Sequence, residues 1–144
     1  MFILLVSALC AGMFAGAAIY INVVEHPARL SCGSELALRE FGPSYHRATV
    51  MQASLALVGC GTGLWAGFVR GEPSVVIGAV LLGAVVPFTL IVILPTNKQL
   101  LDPALDPRGS KATDLLVRWG RLHAIRSILS SIAFVLLLFR LGVA

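Results

Sequence analysis

The first 24 residues of the chain contain no charged side chain and form a run long enough to cross a lipid bilayer. A helix rises about 1.5 Å per residue, so roughly 20 apolar residues span the ~30 Å hydrocarbon core. Three further runs of similar length follow, each bounded by charged residues or proline. The predicted spans cover about 2–24, 48–69, 74–94 and 122–143. We therefore expect a single all-α domain over 1–144, an integral membrane four-helix bundle.

The overall composition agrees with this prediction. Of the 144 residues, 58% are hydrophobic and 12% are charged, whereas a soluble domain carries about 25% charged residues. A cleaved signal peptide is the alternative for the first run, but it has no basic segment before it and exceeds the usual length of about 7 to 15 apolar residues. We interpret it as a retained helix.

Prolines and a serine suggest where the helices begin and end. Pro27 disfavours helical geometry at the residue before it and should end the first helix. Pro87 should kink the third helix and Pro95 should stop it. Ser110 resembles a helix cap, and the segment from about 111 to 121 has an apolar face. This pattern predicts that the fourth helix extends N-terminally beyond its span.

Basic residues are distributed unevenly between the two ends of the predicted bundle. Four spans place both termini and the short 70–73 loop on one face and the two longer loops on the other. Nine of the 11 Lys and Arg residues lie on the long-loop face. The positive-inside rule then predicts a multi-pass protein of the cell membrane, with cytoplasmic long loops and both termini outside. A basic rim facing anionic lipid accounts for the net charge of +4 without a nucleic-acid partner.

Glycines indicate how the helices pack. Gly12 and Gly16 are four residues apart in the first span, and Gly59, Gly63 and Gly67 repeat this spacing in the second. Such spacing places small residues on one helix face, where two backbones can approach closely. We expect the glycine faces of these two consecutive spans to lie near one another.

Polar side chains from all four spans gather at the long-loop end. They are Asn22, Glu25, His26, Tyr45, His46, Arg47, Thr49, Gln52, Thr89, Asn97, Lys98, Trp119, His123, Arg126 and Ser127. Arg126 lies about one turn inside its span, where a charge costs on the order of 2.5 to 3.5 kcal/mol. It needs a partner or a wet cavity, and Glu25 is the candidate carboxylate.

Several interpretations of this cluster remain open. Glu25 and Arg126 could simply pair to fix the bundle of a non-catalytic protein, such as an accessory subunit or carrier. The histidines could bind a transition metal, although their spacing matches no metal motif, or a haem. Alternatively, His123 or His26 removes a proton from a lipophilic molecule while Arg126 and Asn97 stabilise the resulting oxyanion.

Four stretches of the chain resemble one known family. They are YINVVEHPARL (20–30), PSYHRATVMQASLAL (43–57), PFTLIVILPTNKQLLD (87–102) and LLVRWGRLHAIRS (115–127). The family consists of small four-span membrane proteins whose named members are the fungal anthrone oxygenases. Its pattern falls on Pro27, on Pro95, Asn97 and Leu100, and on Trp119, His123 and Arg126.

The resemblance implies that molecular oxygen oxidises an anthrone, phenol or quinol-like substrate, with a cofactor-free reaction as one form. Trp119 and Tyr45 would stack on the ring system of the substrate, and Glu25 and Gln52 would complete its binding site. His46 occupies a place where the family carries a basic residue of either kind, which argues against a metal-ligand role. The partners expected are the lipid bilayer and a small lipophilic substrate.

Overall fold

The computed structural model describes residues 1–142, which fold into an all-helical bundle without strands. Its four helices are α1 (Phe2–Ser31), α2 (Ser34–Arg70), α3 (Pro73–Leu100) and α4 (Ser110–Gly142). Each is long and apolar enough to cross a membrane. The predicted four-helix membrane bundle is therefore confirmed. The last residue of the predicted fourth span, Val143, lies outside the described residues.

The helices are arranged in a ring in chain order. α1 packs against α2 and α4, and α3 packs against α2 and α4, while α2 and α4 touch little across the diagonal. Two tight turns connect the first three helices. Gly33 and Gly71 adopt positive φ values of 86° and 62° there, a conformation that favours glycine. Short turns make consecutive helices antiparallel neighbours, so all four helices contribute to each end of the bundle.

The predicted helix ends at Pro27 and Pro95 are wrong. Each proline is the second residue after a π-helical turn, and the α-helix resumes and continues through it. These π turns are Ile21–Glu25 in α1 and Thr89–Ile93 in α3. A proline lacks the N–H that would bond within the helix, and this loss costs little in the first turn of an α-helix. The α-helix that follows each π turn begins just before its proline, so the chain can continue as a helix. The long first loop expected from the sequence is consequently almost entirely helical.

Small residues pack the half of the bundle near the termini, but the glycine faces do not meet as predicted. A Cβ atom at Gly59 would lie 2.9 Å from Cys10 Cβ and 2.6 Å from Leu82 Cδ2. The glycine stripe of α2 thus packs against non-glycine residues of both α1 and α3. A Cβ at Gly12 would instead meet Phe134 of α4, at 2.8 Å. Steric complementarity between small and large residues, rather than glycine against glycine, sets this packing.

Larger and more polar residues fill the other half of the bundle. A second apolar cluster surrounds Trp119 there, and includes Phe41, Ile93, Leu115 and Leu116. Both π turns lie in this half. A π turn frequently marks a functional site, because it breaks the regular direction of the side chains.

Candidate functional site

A chamber of about 30 Å³ lies inside the polar half, between α1, α2 and α4. Six residues predicted from the sequence line it: Glu25, Tyr45, Gln52, Trp119, His123 and Arg126. The chamber is small beside the ~300 Å³ or more of a drug-sized ligand pocket. It can therefore admit the reacting edge of a molecule, but not a whole ring system.

Hydrogen bonds around Asn22 fix the proton of the His123 ring. The Asn22 amide nitrogen donates to the Gly120 carbonyl at 3.0 Å, which orients the amide. Its Oδ1 then lies 2.7 Å from His123 Nδ1 and accepts a bond from the Ser127 hydroxyl at 2.6 Å. Since an amide oxygen can only accept, Nδ1 of a neutral His123 carries the proton. The lone pair is therefore on Nε2 of a ring that lines the chamber.

Arg126 has no carboxylate partner among residues 1–142, so the predicted pair with Glu25 is wrong. Its Nη2 donates to Gln52 Oε1 at 2.6 Å, and its guanidinium carbon lies 5.3 Å from the centre of the Phe14 ring. An amide dipole and an aromatic face thus partly compensate a charge that no anion neutralises. The guanidinium remains able to stabilise a negative charge that forms in the chamber.

Glu25 pairs with Arg29, one helical turn further along α1. Arg29 also pairs with Glu40, and the Ser44 hydroxyl donates to Glu25 Oε1 at 3.1 Å. The Arg29 side chain is only 5% exposed, and its guanidinium carbon lies 5.9 Å from the Trp119 ring centre. This ion cluster closes the chamber towards the turn between α1 and α2. Arg29 was not among the predicted site residues, although its four-residue spacing from Glu25 is a recognised pairing signal.

Trp119 is the centre of an aromatic cluster at the chamber. Its ring stacks on His123 with centroids 4.8 Å apart and meets Phe41 edge-on at 5.4 Å. Tyr45 in turn stacks on the Phe41 ring, with the two centroids 5.8 Å apart. Edge-on and stacked pairs of this kind lock side-chain positions. His123 is therefore held by a hydrogen bond on one side and an aromatic ring on another.

Two of the predicted catalytic residues, His26 and Asn97, are buried but do not line the chamber. The His26 ring packs against Trp119 at 5.2 Å, and a Cβ at Gly120 would lie 2.6 Å from its Nε2. Within residues 1–142, neither ring nitrogen makes a hydrogen bond, although the Leu116 backbone lies nearby. His26 thus lies behind Trp119, in a space that the absent side chain of Gly120 leaves open.

The third histidine, His46, is exposed beside Tyr45 and does not join the site. Within residues 1–142, no three His, Cys, Asp or Glu side chains come together as a metal site. The small chamber beside His123 also leaves no room for a porphyrin. The side chains thus give the metal and haem hypotheses no geometric support.

An open groove of about 600 Å³ runs along the outside of α1 and α2, next to the chamber. Most of its wall is apolar, with Tyr20 and Met51 among the lining residues. Four residues line both spaces: Ile21, Glu25, Ser44 and Ala48. Ile21 and Glu25 are the first and last residues of the π turn in α1. The π turn therefore forms part of the wall between groove and chamber.

Comparison with known proteins agrees with the resemblance noted in the sequence. The family model described as anthrone oxygenase matches residues 41–136, which include Trp119, His123 and Arg126. An anthrone oxygenase of Claviceps purpurea is 30% identical over 86% of this chain and 80% of its own length. The anthrone oxygenase tpcL of Aspergillus fumigatus is 34% identical over 75% of this chain and 73% of its own. No solved structure matches the chain. The chain belongs to the anthrone oxygenase family.

Proposed function

We propose that this protein is a membrane-embedded oxygenase that acts on a lipophilic anthrone-, phenol- or quinol-like substrate by base-assisted reaction with dioxygen. One observation carries the proposal: a histidine with its proton fixed on Nδ1 lines the same small chamber as an arginine that no carboxylate of residues 1–142 neutralises. This arrangement combines a base with a site for a developing oxyanion.

The chemistry follows from these two groups. The acidic C–H of an anthrone is on the methylene carbon opposite the carbonyl in the central ring. His123 Nε2 removes a proton from this carbon, and Arg126 stabilises the oxygen of the resulting enolate, which is conjugated with it through the aromatic rings. The carbanion form gives its electron pair to dioxygen, so that a C–O bond forms and a peroxide anion results. The peroxide takes up the proton held by His123. Loss of water then leaves a quinone, so that one anthrone and one dioxygen give one anthraquinone and one water.

The groove offers a place for the rest of the substrate. Its volume of about 600 Å³ lies within the usual range of about 300 to 1,000 Å³ for small-molecule pockets. A flat molecule entering from lipid would rest on the apolar wall of α1 and α2 and reach His123 past Ala48. The aromatic residues Trp119 and Tyr45 would then contact only its reacting edge, while Glu25 and Gln52 border it.

Orientation in the membrane remains part of the proposal. The excess of basic residues at the long-loop end favours a cytoplasmic position for the chamber and an outside position for both termini. The substrate would then enter from the cytoplasmic half of the bilayer.

The competing proposal is a non-catalytic membrane component in which the polar cluster only holds the helices together. The small chamber volume of about 30 Å³ favours it. The paired groups are also those a structural cluster needs: the cluster of Glu25, Arg29 and Glu40 joins α1 to α2 without any substrate.

Oxidation assays on the purified protein separate the two. An anthrone is offered under oxygen in detergent, and quinone absorbance is followed for the wild type, His123→Ala and His46→Ala. We expect His123→Ala to lower the rate by about 10²- to 10⁴-fold, the usual contribution of a positioned base. The exposed His46→Ala should match the wild type. Equal rates for His123→Ala and wild type, or no oxidation by either, would remove this function for that substrate. A stoichiometric metal in the same preparation would contradict the cofactor-free form.

A further inference from the structure

A second internal cavity, of about 80 Å³, lies between α2 and α3 on the other side of Arg126. Ala53, Ala56, Val85 and Val86 form much of its wall. Arg126, Gln52 and Thr49 line both this cavity and the chamber. The two spaces are therefore neighbours that meet at the guanidinium of Arg126.

The wall of this cavity is mostly apolar, and its polar groups, from Gln52 and Arg126, lie at the boundary with the chamber. The Thr89 hydroxyl donates to the Val85 carbonyl at 2.6 Å, so it is not available to a guest. Leu90 stands at the rim with 59% of its surface exposed, which places the opening of the cavity against lipid. Thr89 and Leu90 begin the π turn of α3. Each of the two π turns thus borders one of the spaces that lead to Arg126.

From these features we infer that the cavity between α2 and α3 is a dioxygen-binding site that supplies the chamber from the membrane. This inference rests on the proposed oxygenase function. About 10 to 15 Å³ suffices for one water-sized molecule, so 80 Å³ admits a diatomic gas but not a tricyclic substrate. Dioxygen is apolar and dissolves better in hydrocarbon than in water, and small apolar cavities hold apolar guests.

The position of Arg126 determines where the reduced form of dioxygen is stabilised. Neutral dioxygen gains little from a nearby cation, whereas the peroxide anion formed on reduction is strongly attracted to it. Arg126 therefore does not hold the gas in the cavity, and it stabilises the peroxide anion that forms when the enolate has reacted with dioxygen, at the boundary with the chamber. Substrate and dioxygen reach the same guanidinium by different routes, one between α1 and α2 and the other between α2 and α3.

Paramagnetic relaxation by dissolved dioxygen tests the cavity without any enzymatic reaction. Ala56 lines the cavity and Ala79 packs beside Gly63, and both are fully buried. Along the helix axes, the Ala56 methyl lies about 21 Å and the Ala79 methyl about 9 Å from the turn that joins α2 and α3. The midplane of the bilayer lies at ~15 Å, so the two methyls are on opposite sides of it at similar distances. We expect dioxygen to relax the Ala56 methyl severalfold more than the Ala79 methyl in the detergent-solubilised wild type. Equal relaxation overturns the inference.

Filling the cavity supplies the second measurement. Ala53→Phe should abolish the selective effect at Ala56 and raise KM for dioxygen about tenfold, with KM for the organic substrate unchanged. The neighbouring Ser54→Phe, on the exposed face of α2, should change neither. Ala53→Leu replaces Ala53→Phe if the larger residue prevents folding. A folded filling variant with an unchanged KM for dioxygen contradicts the inference, as do contacts from detergent chains to the Ala56 methyl without a dioxygen effect. Selective relaxation in a protein that oxidises nothing would retain the cavity and remove only the proposed function.

Discussion

The two halves of this bundle are packed with different kinds of residues. Near the termini, small residues bring the helices together: Ser7 donates a hydrogen bond of 2.7 Å to the Gly59 carbonyl, and Ala79 would lie 2.7 Å from a Cβ at Gly63. At the long-loop end, both helices with π turns carry buried polar side chains, and two internal spaces remain unfilled. In the first half, Gly59, Gly63 and Gly67 leave no room for a Cβ between the helices, whereas the second half keeps room beside reactive groups.

The difference indicates that one half provides stability and the other provides the candidate functional site. Close packing supplies the stability of a membrane bundle, since apolar side chains gain nothing from leaving lipid and contact between backbones must hold the helices. A buried cation and unpaired imidazole nitrogens cost stability, and they persist where the surrounding structure holds them. Changes in the two halves should therefore have separable effects on folding and on reaction rate.

The largest separable effect is expected at Asn22, which we regard as positioning the proton of His123. Asn22→Ala removes the acceptor for Nδ1, and we expect kcat to fall about 100-fold, the lower end of the contribution of a positioned base. Ser127→Ala removes only a donor to the same oxygen and should lower kcat much less. Oxidation kinetics and thermal melting of both variants check this. Equal rate losses in the two would show that the tautomer is not what Asn22 provides.

A change in the packed half should act on stability instead. A Cβ at Gly63 would lie 2.6 Å from Ser7 Oγ, so Gly63→Val should destabilise the bundle by about 1 to 3 kcal/mol, the usual cost of overpacking. Gly61, on the same helix, has open space where its Cβ would be, so Gly61→Val is the matched control. Thermal unfolding in detergent measures both. If the two valine variants melt at the same temperature, the helices are not closely packed at Gly63.

The smallest effect is expected at the turn between α2 and α3, where Glu72 pairs with Arg70 and Arg140. A hydrogen bond from Arg70, with a further contribution from Arg140, holds the pKa of Glu72 below its usual value of 4.5. A carboxyl with a lowered pKa adds stability above its unfolded pKa and loses it as the pH falls through the folded one. Glu72→Gln should therefore melt slightly lower than wild type at pH 7.

The pH dependence makes this a sharper test. The difference in Tm between Glu72→Gln and wild type should shrink as the pH drops below 4.5. Asp114→Asn serves as the control, because Asp114 is exposed and makes no ion pair within the described part of the chain. A difference in Tm that stays constant down to pH 3 would mean that the charge of Glu72 contributes nothing to stability.

Hydropathy alone was enough to predict the bundle, because length and apolarity decide whether a segment can cross lipid. It also predicted that polar side chains from all four helices meet at one end, since antiparallel neighbours share their ends. The sequence could not show that α1 and α3 continue through Pro27 and Pro95, because the π turns that permit this have no clear signal of their own. The partner of Arg126 was also missed. Whether Glu25 or Gln52 faces it depends on the rotation of each helix about its axis, which the π turn in α1 alters.

The π turn in α1 has a consequence for how such a site can change during evolution. A π turn accommodates one residue more than an α turn, and each helical residue turns the chain by about 100°. Across the turn Ile21–Glu25 the His26 N–H bonds to the Ile21 carbonyl, so deleting a single amino acid within it would turn this bond into an ordinary α-helical one. His26 and Arg29 would stay close to their places, and the side chains within the turn, Asn22 among them, would point in new directions. Insertions and deletions of one residue are thus a mutational step by which a chain of this family could redirect a polar side chain such as Asn22 while the rest of the bundle stays in place.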